Sequence, residues 1–216
     1  MIRRLLTLAV ALAALAHAGT TAAAHPHVWV KMSSAVVYDA SGAAIGVRHT
    51  WTFDDMYSVF ATQGLEQKTK GQFTREELQP LAQVNVESLK EFDYFTFAKA
   101  DGKVAHFVDP VDYHLEFDPK ATVLTLHFLL PFKAPVKAKA LNFEVFDPSY
   151  FVDFGWASDH AVALAQAPAG CTLRMAKPPP MDPALAQRLA DIPADGEIPT
   201  DFSAAQFSNK VWIRCP

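Results

Sequence analysis

The chain is poor in cysteine, has no excess of positive charge, and beyond its first 24 residues lacks any apolar run long enough to cross a membrane. Its only two cysteines are Cys171 and Cys215. An even pair in an exported chain reads as one disulfide, worth about 2–4 kcal/mol. Neither cysteine has a His or a second Cys at ligand spacing, which argues against a Cys–Cys metal site. Lys and Arg number 19 against 23 acidic residues. That balance argues against nucleic acid and anionic membrane surfaces and is compatible with cation handling. Gly-x-Ser-x-Gly, His-Glu-x-x-His and P-loop motifs are all missing, as is any internal repeat.

What is present begins with a leader. Arg3 and Arg4 precede an apolar stretch, Leu5 to Ala16, and Thr21-Ala22-Ala23-Ala24 ends in an Ala-x-Ala pattern. These are the parts of a secretory signal, too short to span a bilayer. The expected mature chain starts at His25; a cut after Ala18 would instead leave six more residues, and an uncleaved anchor is the third possibility. Cleavage at Ala24 makes the formal charge of −4 two units more negative. It also places the protein in the periplasm, with residues 25–175 as an α+β domain and 176–216 as a Pro-rich C-terminal wrap tied back by the disulfide. Half the residues are hydrophobic, enough for a substantial core.

His25 to Tyr38 alternates, with His25, His27, Trp29 and Lys31 on one face and Val28, Val30 and Met32 on the other. Asp39-Ala40-Ser41-Gly42 is a turn, and Ile45 to Phe53 alternates again, so the pair reads as a β-hairpin. A turn centred near Ser41-Gly42 sets Trp29 close to Asp54 and His27 close to Met56. Tyr57 to Gln67 then reads as a helix. A second runs from the capping box Thr74/Glu77 to about Tyr94, with Pro80 expected to kink it or delay its start. Further strands are expected at 95–98, 104–108, 111–117, 121–130, 141–146 and 151–156, with a short helix from Pro183 to Ala190. The fold class is therefore α+β: antiparallel sheet with a helix–loop–helix inserted after the first hairpin.

Glu66 to Glu77 has the outline of an EF-hand loop, but Lys68 and Lys70 stand where Ca²⁺ needs oxygen ligands. It reads as a connection that does not hold calcium. His25 and His27, at strand period 2, point to one side, and cleavage adds a free amine. Imidazole suits Zn²⁺, Ni²⁺, Co²⁺ and Cu²⁺. Asp54 or Asp55, by the hairpin register, and Asp147, at an Asp-Pro strand end, are the candidate completing ligands. Pro26 has no N–H, so a square-planar chelate built on consecutive amides is interrupted. The bland alternative is a frayed terminus. His114 and His127 fall on opposing strands of one hairpin and can approach each other, but each sits in alternating apolar sequence and reads as a satisfied sheet histidine. His49 reads as packing, and His106 and His160 as exposed.

Three ordered motifs resemble a known family: His25-Pro26-His27-Val28-Trp29-Val30, then Trp51-Thr52-Phe53-Asp54-Asp55-Met56-Tyr57-Ser58, then Phe146-Asp147-Pro148-Ser149-Tyr150-Phe151-Val152-Asp153. Together they resemble a bacterial domain-of-unknown-function family labelled as the periplasmic component of an uncharacterised ABC-type transport system. Its genes often lie beside nickel/cobalt-type transporters. The resemblance spans roughly residues 25–175 and implies export, a metal ion as ligand and an inner-membrane metal transporter as partner. Many such proteins carry an acidic EF-hand-like stretch, from which Lys68 and Lys70 depart. The expected function is a transition-metal-binding accessory of a transport system rather than an enzyme. Two other classes stay open: a non-metal interaction module of a transporter, and a copper histidine-brace oxidative enzyme.

Overall fold

The computed structural model describes residues 26–193 and 196–216; His25 and the leader lie outside them. Strand β1 (Val28–Tyr38) pairs antiparallel with β2 (Ala44–Phe53), and Val30 faces Phe53 as the expected register requires. Asp39 closes the turn by accepting from the Ser41 and Ala43 N–H groups, while Gly42 takes the left-handed φ of 78°. Along β1, Val28, Val30 and Met32 are buried and Trp29 and Lys31 exposed, so the period-2 pattern decides which face joins the core.

Helix α1 (Asp55–Thr62) starts earlier and ends sooner than the apolar pattern indicates, because Asp54 caps it and Gly64, at φ 81°, turns the chain away. Helix α2 (Arg75–Leu89) opens on the expected capping box. Thr74 N–H donates to Glu77 Oε2 at 2.7 Å, and Glu77 N–H donates to Thr74 Oγ1 at 3.3 Å. Pro80 neither delays nor ends it: in the second turn its ring removes one helical N–H, and the buried Leu78, Ala82 and Val86 hold the helix on the core. A 3₁₀ segment, Lys90–Phe95, then leads into the remaining strands.

Those strands are β3 (Thr96–Ala100), β4 (Lys103–Ala105), β5 (Val111–Asp118), β6 (Val123–Val136), β7 (Ala140–Val145), β8 (Val152–Trp156), β9 (Val162–Ala165), β10 (Thr172–Ala176) and β11 (Asn209–Arg214). Helix α3 (Pro183–Ala190) has the expected bounds. One sheet has the order β5-β6-β2-β1-β8, with β9 also on β1; the other has β10-β11-β7-β3-β4. The α+β expectation holds with one modification. The first sheet is mixed, because β8 and β9 run parallel to β1. Residues 176–216 also do more than wrap the core, since β11 is an interior strand between β7 and β10. The Cys171–Cys215 disulfide is formed and joins the start of β10 to the end of β11.

The two sheets share one hydrophobic core centred on Trp51, Phe128 and Phe143. His49 sits inside it, fully buried. Its Nδ1 lies 2.9 Å from Ser34 Oγ and its Nε2 3.4 Å from Thr96 Oγ1, so one imidazole links the sheets. Burial pushes its pKa down to about 3, because charging it there removes hydration that nothing replaces. His49 packs, as its sequence surroundings suggested.

Candidate metal centre

Strands β5 and β6 are joined by the turn that Asp118 closes, its Oδ1 accepting from the Lys120 and Ala121 N–H groups. That turn sets His114 directly opposite His127 and Glu116 opposite Thr125. Period-2 geometry carries Leu115 and Leu126 into the core and leaves His114, Glu116 and His127 together on the other face of the sheet. A register irregularity precedes His114, where Asp112 adopts a left-handed φ of 51°; such bulges re-aim the side chains that follow.

The imidazole rings of His114 and His127 stack at 4.7 Å. Glu116 reaches the edges of both rings, with Oε1 3.5 Å from His114 Nε2 and Oε2 3.5 Å from His127 Nε2. All three ligand atoms lie within 4.8 Å of one another. Donors bound 2.0–2.1 Å from a tetrahedral Zn²⁺ stand roughly 3.3–3.4 Å apart, so the spacing fits a transition-metal ion after little adjustment. His127 Nε2 is buried and makes no hydrogen bond of normal geometry among the described residues; the group it faces is Glu116 Oε2, 3.5 Å away. Its Nδ1 lies 3.2 Å from Thr50 Oγ1. With Nε2 as ligand, Nδ1 carries the proton and donates to that hydroxyl, which fixes the ring.

The electrostatics favour the ligating forms. Burial lowers the His127 pKa, against the opposing pull of Glu116, which keeps the imidazole neutral. Glu116 is held below the usual carboxylate range, chiefly by its hydrogen bond from Arg75. Arg75, at the first position of α2, ion-pairs with Glu116 Oε1 and is the cation an incoming metal ion must displace or tolerate.

His27, Asp54, Asp55 and Asp147 lie apart from this triad, and His25 is outside the described residues. His27 stacks on Phe151 at 4.8 Å, and its N–H donates to the Phe151 carbonyl at 2.8 Å. Asp54 is next to Trp29, as the register predicts, and caps α1. Its Oδ1 accepts from the Tyr57 N–H at 2.7 Å and its Oδ2 from the Trp29 N–H at 2.8 Å. Asp55 Oδ1 accepts from the Met56 N–H. Asp147 is buried; Oδ1 accepts from the Ser149 N–H and Oγ–H, and Oδ2 from the Val152 N–H. These carboxylates hold backbone donors at chain turns. Among the described residues, the group of three metal-ligating side chains is His114, Glu116 and His127. Glu116 went unnoticed in the sequence, although His-x-Glu on a strand, with a His at the facing position, carried the signal. His106 and His160 are exposed, as expected.

In the Glu66–Glu77 loop, the would-be calcium ligand Glu77 is taken up by the Lys68 N–H at 2.8 Å and the Thr74 N–H. Gly71, at φ 77°, donates to Gln67 Oε1. The loop is closed by its own hydrogen bonds, in keeping with its two lysines.

Fold and site together define an α+β domain with a candidate metal-binding triad. The family described as a protein of unknown function (DUF1007) matches residues 10–215, and the chain belongs to that family. It is also similar to an uncharacterized protein of Haemophilus influenzae, 22% identical over 195 residues that cover 89% of this chain and 91% of that protein.

Proposed function

We propose that the protein is a periplasmic transition-metal-binding accessory of a metal transport system. The observation that carries this reading is the His114/Glu116/His127 triad, two imidazoles and one carboxylate at metal-ligand spacing. Three protein donors leave a coordination position open, which suits an ion that is taken up and handed on rather than locked in place. The amino-terminal pair His25 and His27, with the amine released by cleavage after Ala24, is a second candidate donor group. Helix α1 turns Met56, Val59 and Phe60 outward, an apolar surface suited to a membrane-embedded partner.

The test is calorimetry with Zn²⁺, Ni²⁺, Co²⁺ and Cu²⁺ on exported, untagged protein. The His114→Ala/His127→Ala and His25→Ala/His27→Ala variants are measured beside it. Micromolar or tighter stoichiometric binding that the triad variant loses is expected. Affinity left unchanged by both pairs of substitutions would sink the reading.

A further inference from the structure

The start of helix α2 is docked on β5 by Phe73, whose ring meets that of Phe117 edge to face at 5.1 Å. The capping box at Thr74 then fixes the first turn and delivers Arg75 beside Glu116. Glu116 Oε1 accepts from Arg75 Nη2 and also lies 3.5 Å from His114 Nε2. The guanidinium therefore stands one hydrogen bond beyond the three donor atoms of the triad. Among the described residues only its Nη2 has an acceptor, which leaves Nη1 and Nε free to donate. The Arg75 and Glu116 side chains are 59% and 47% exposed, so this side of the triad opens to solvent.

A bare divalent ion is poorly matched to these surroundings. Imidazole ligands bring no negative charge, the Glu116 carboxylate brings one, and the Arg75 guanidinium cancels it. Both charges of the ion then stay uncompensated, with a like charge close by. An anion bound to the ion removes that mismatch. It needs one atom for the coordination position that three protein donors leave open, and another for the unused edge of the guanidinium.

A carboxylate supplies both atoms. One oxygen binds the ion and the other receives the N–H fork, the pairing for which arginine geometry is best suited. Glu116 already spans the gap between guanidinium and imidazoles in this way, so a carboxylate has the right size. An amine or hydroxyl on the adjoining carbon closes a chelate ring on the ion, with a donor of the kind that transition metals accept. We infer that the triad takes its metal ion as a complex with a small α-amino or α-hydroxy carboxylate, whose carboxylate bridges the ion and Arg75. This rests on the metal reading of the triad and adds the form in which the ion arrives.

The test uses exported, cleaved protein with Ni²⁺, and with L-alanine, L-lactate and L-alaninamide as probes. Equilibrium dialysis counts the nickel and the probe retained per chain, and the His114→Ala/His127→Ala variant identifies the nickel held by the triad. Nickel-loaded wild type is expected to retain one alanine or one lactate per ion. Retention of only one of the two supports the inference and assigns the second donor. Arg75→Gln is expected to weaken that retention about fivefold, the scale of an exposed charge pair, and to leave alaninamide, which has no carboxylate, unaffected. The same variant is expected to bind Ni²⁺ alone more tightly, an opposite sign that a damaged fold would not produce. Nickel held by the triad with neither acid retained, or stripped from it by them, overturns the inference and leaves the metal reading standing. Equal retention of the acids in wild type and Arg75→Gln also overturns it. So does weaker binding of both nickel and acid in that variant, since Arg75 then only supports Glu116. Absence of triad-bound nickel in wild type overturns both readings.

Discussion

His114 and His127 face each other across β5 and β6 with their rings 4.7 Å apart and inclined by 12°, and Glu116 reaches both Nε2 atoms. Two imidazole nitrogens and one carboxylate thus converge on the same face of the sheet, an arrangement that a single shared cation can satisfy.

Loss of either triad histidine is therefore expected to abolish stoichiometric binding at this site, whereas loss of the outer hydroxyl weakens it. Thr50→Ala removes the oxygen that fixes the His127 ring and is expected to cost about tenfold in metal affinity, the usual scale for such orienting contacts. Calorimetry at constant pH measures both.

Arg75 gives a prediction of opposite sign. Its guanidinium holds Glu116 and repels a divalent ion. Arg75→Gln is expected to tighten metal binding by about two- to fivefold, the scale of an exposed charge. Weaker binding in that variant would instead make Arg75 a positioning residue for the carboxylate.

His49 predicts how stability depends on pH. Its folded pKa of about 3 lies below its ordinary value of 6.5, so the folded state favours the neutral ring. That contribution is complete above about pH 6.5 and is lost as pH falls from there toward 3. The slope approaches at most about 1.4 kcal/mol per pH unit. Urea denaturation between pH 7 and pH 4 measures it, and His49→Gln is expected to flatten the slope while lowering stability at pH 7.

Asp54 separates a capping role from a ligating one. Asp54→Asn keeps an N-cap oxygen and is expected to change stability by less than about 0.5 kcal/mol. Asp54→Ala removes the acceptor from Tyr57 and Trp29 and is expected to cost about 1–2 kcal/mol. Thermal denaturation decides the stability effect. Metal titration of the Asn variant decides whether the carboxylate also serves an ion.

Local signals in the sequence were strong and non-local ones weak. The first hairpin was legible to within a residue or two, because alternation on both sides of Asp39–Gly42 forbids the one-residue slip that would put Val30 and Trp51 on opposite faces. The capping box of Thr74 and Glu77 and the α3 helix were legible for the same reason. The parallel partners of β1 were not, since nothing near Val28 announces residues 152–165. Strands β9, β10 and β11 are short and set among prolines and turns, which masks their period. The triad was half legible: His114 and His127 were seen to approach, but alternating apolar neighbours made packing the simpler reading. Glu116 gained meaning only from the side of the sheet it shares with them.

The parallel pairing of β1 with β8 and β9 also sets a timetable. Strand β1 leaves the ribosome among the first folded elements, yet one of its edges has no partner until residues 152–165 have been made. At roughly 5–20 residues per second that wait is on the order of ten seconds. The hairpin has an open seam throughout, and the sheet is completed only when most of the chain exists. A polypeptide made this way remains threadable for most of its synthesis, because its opening strand is among the last to be enclosed.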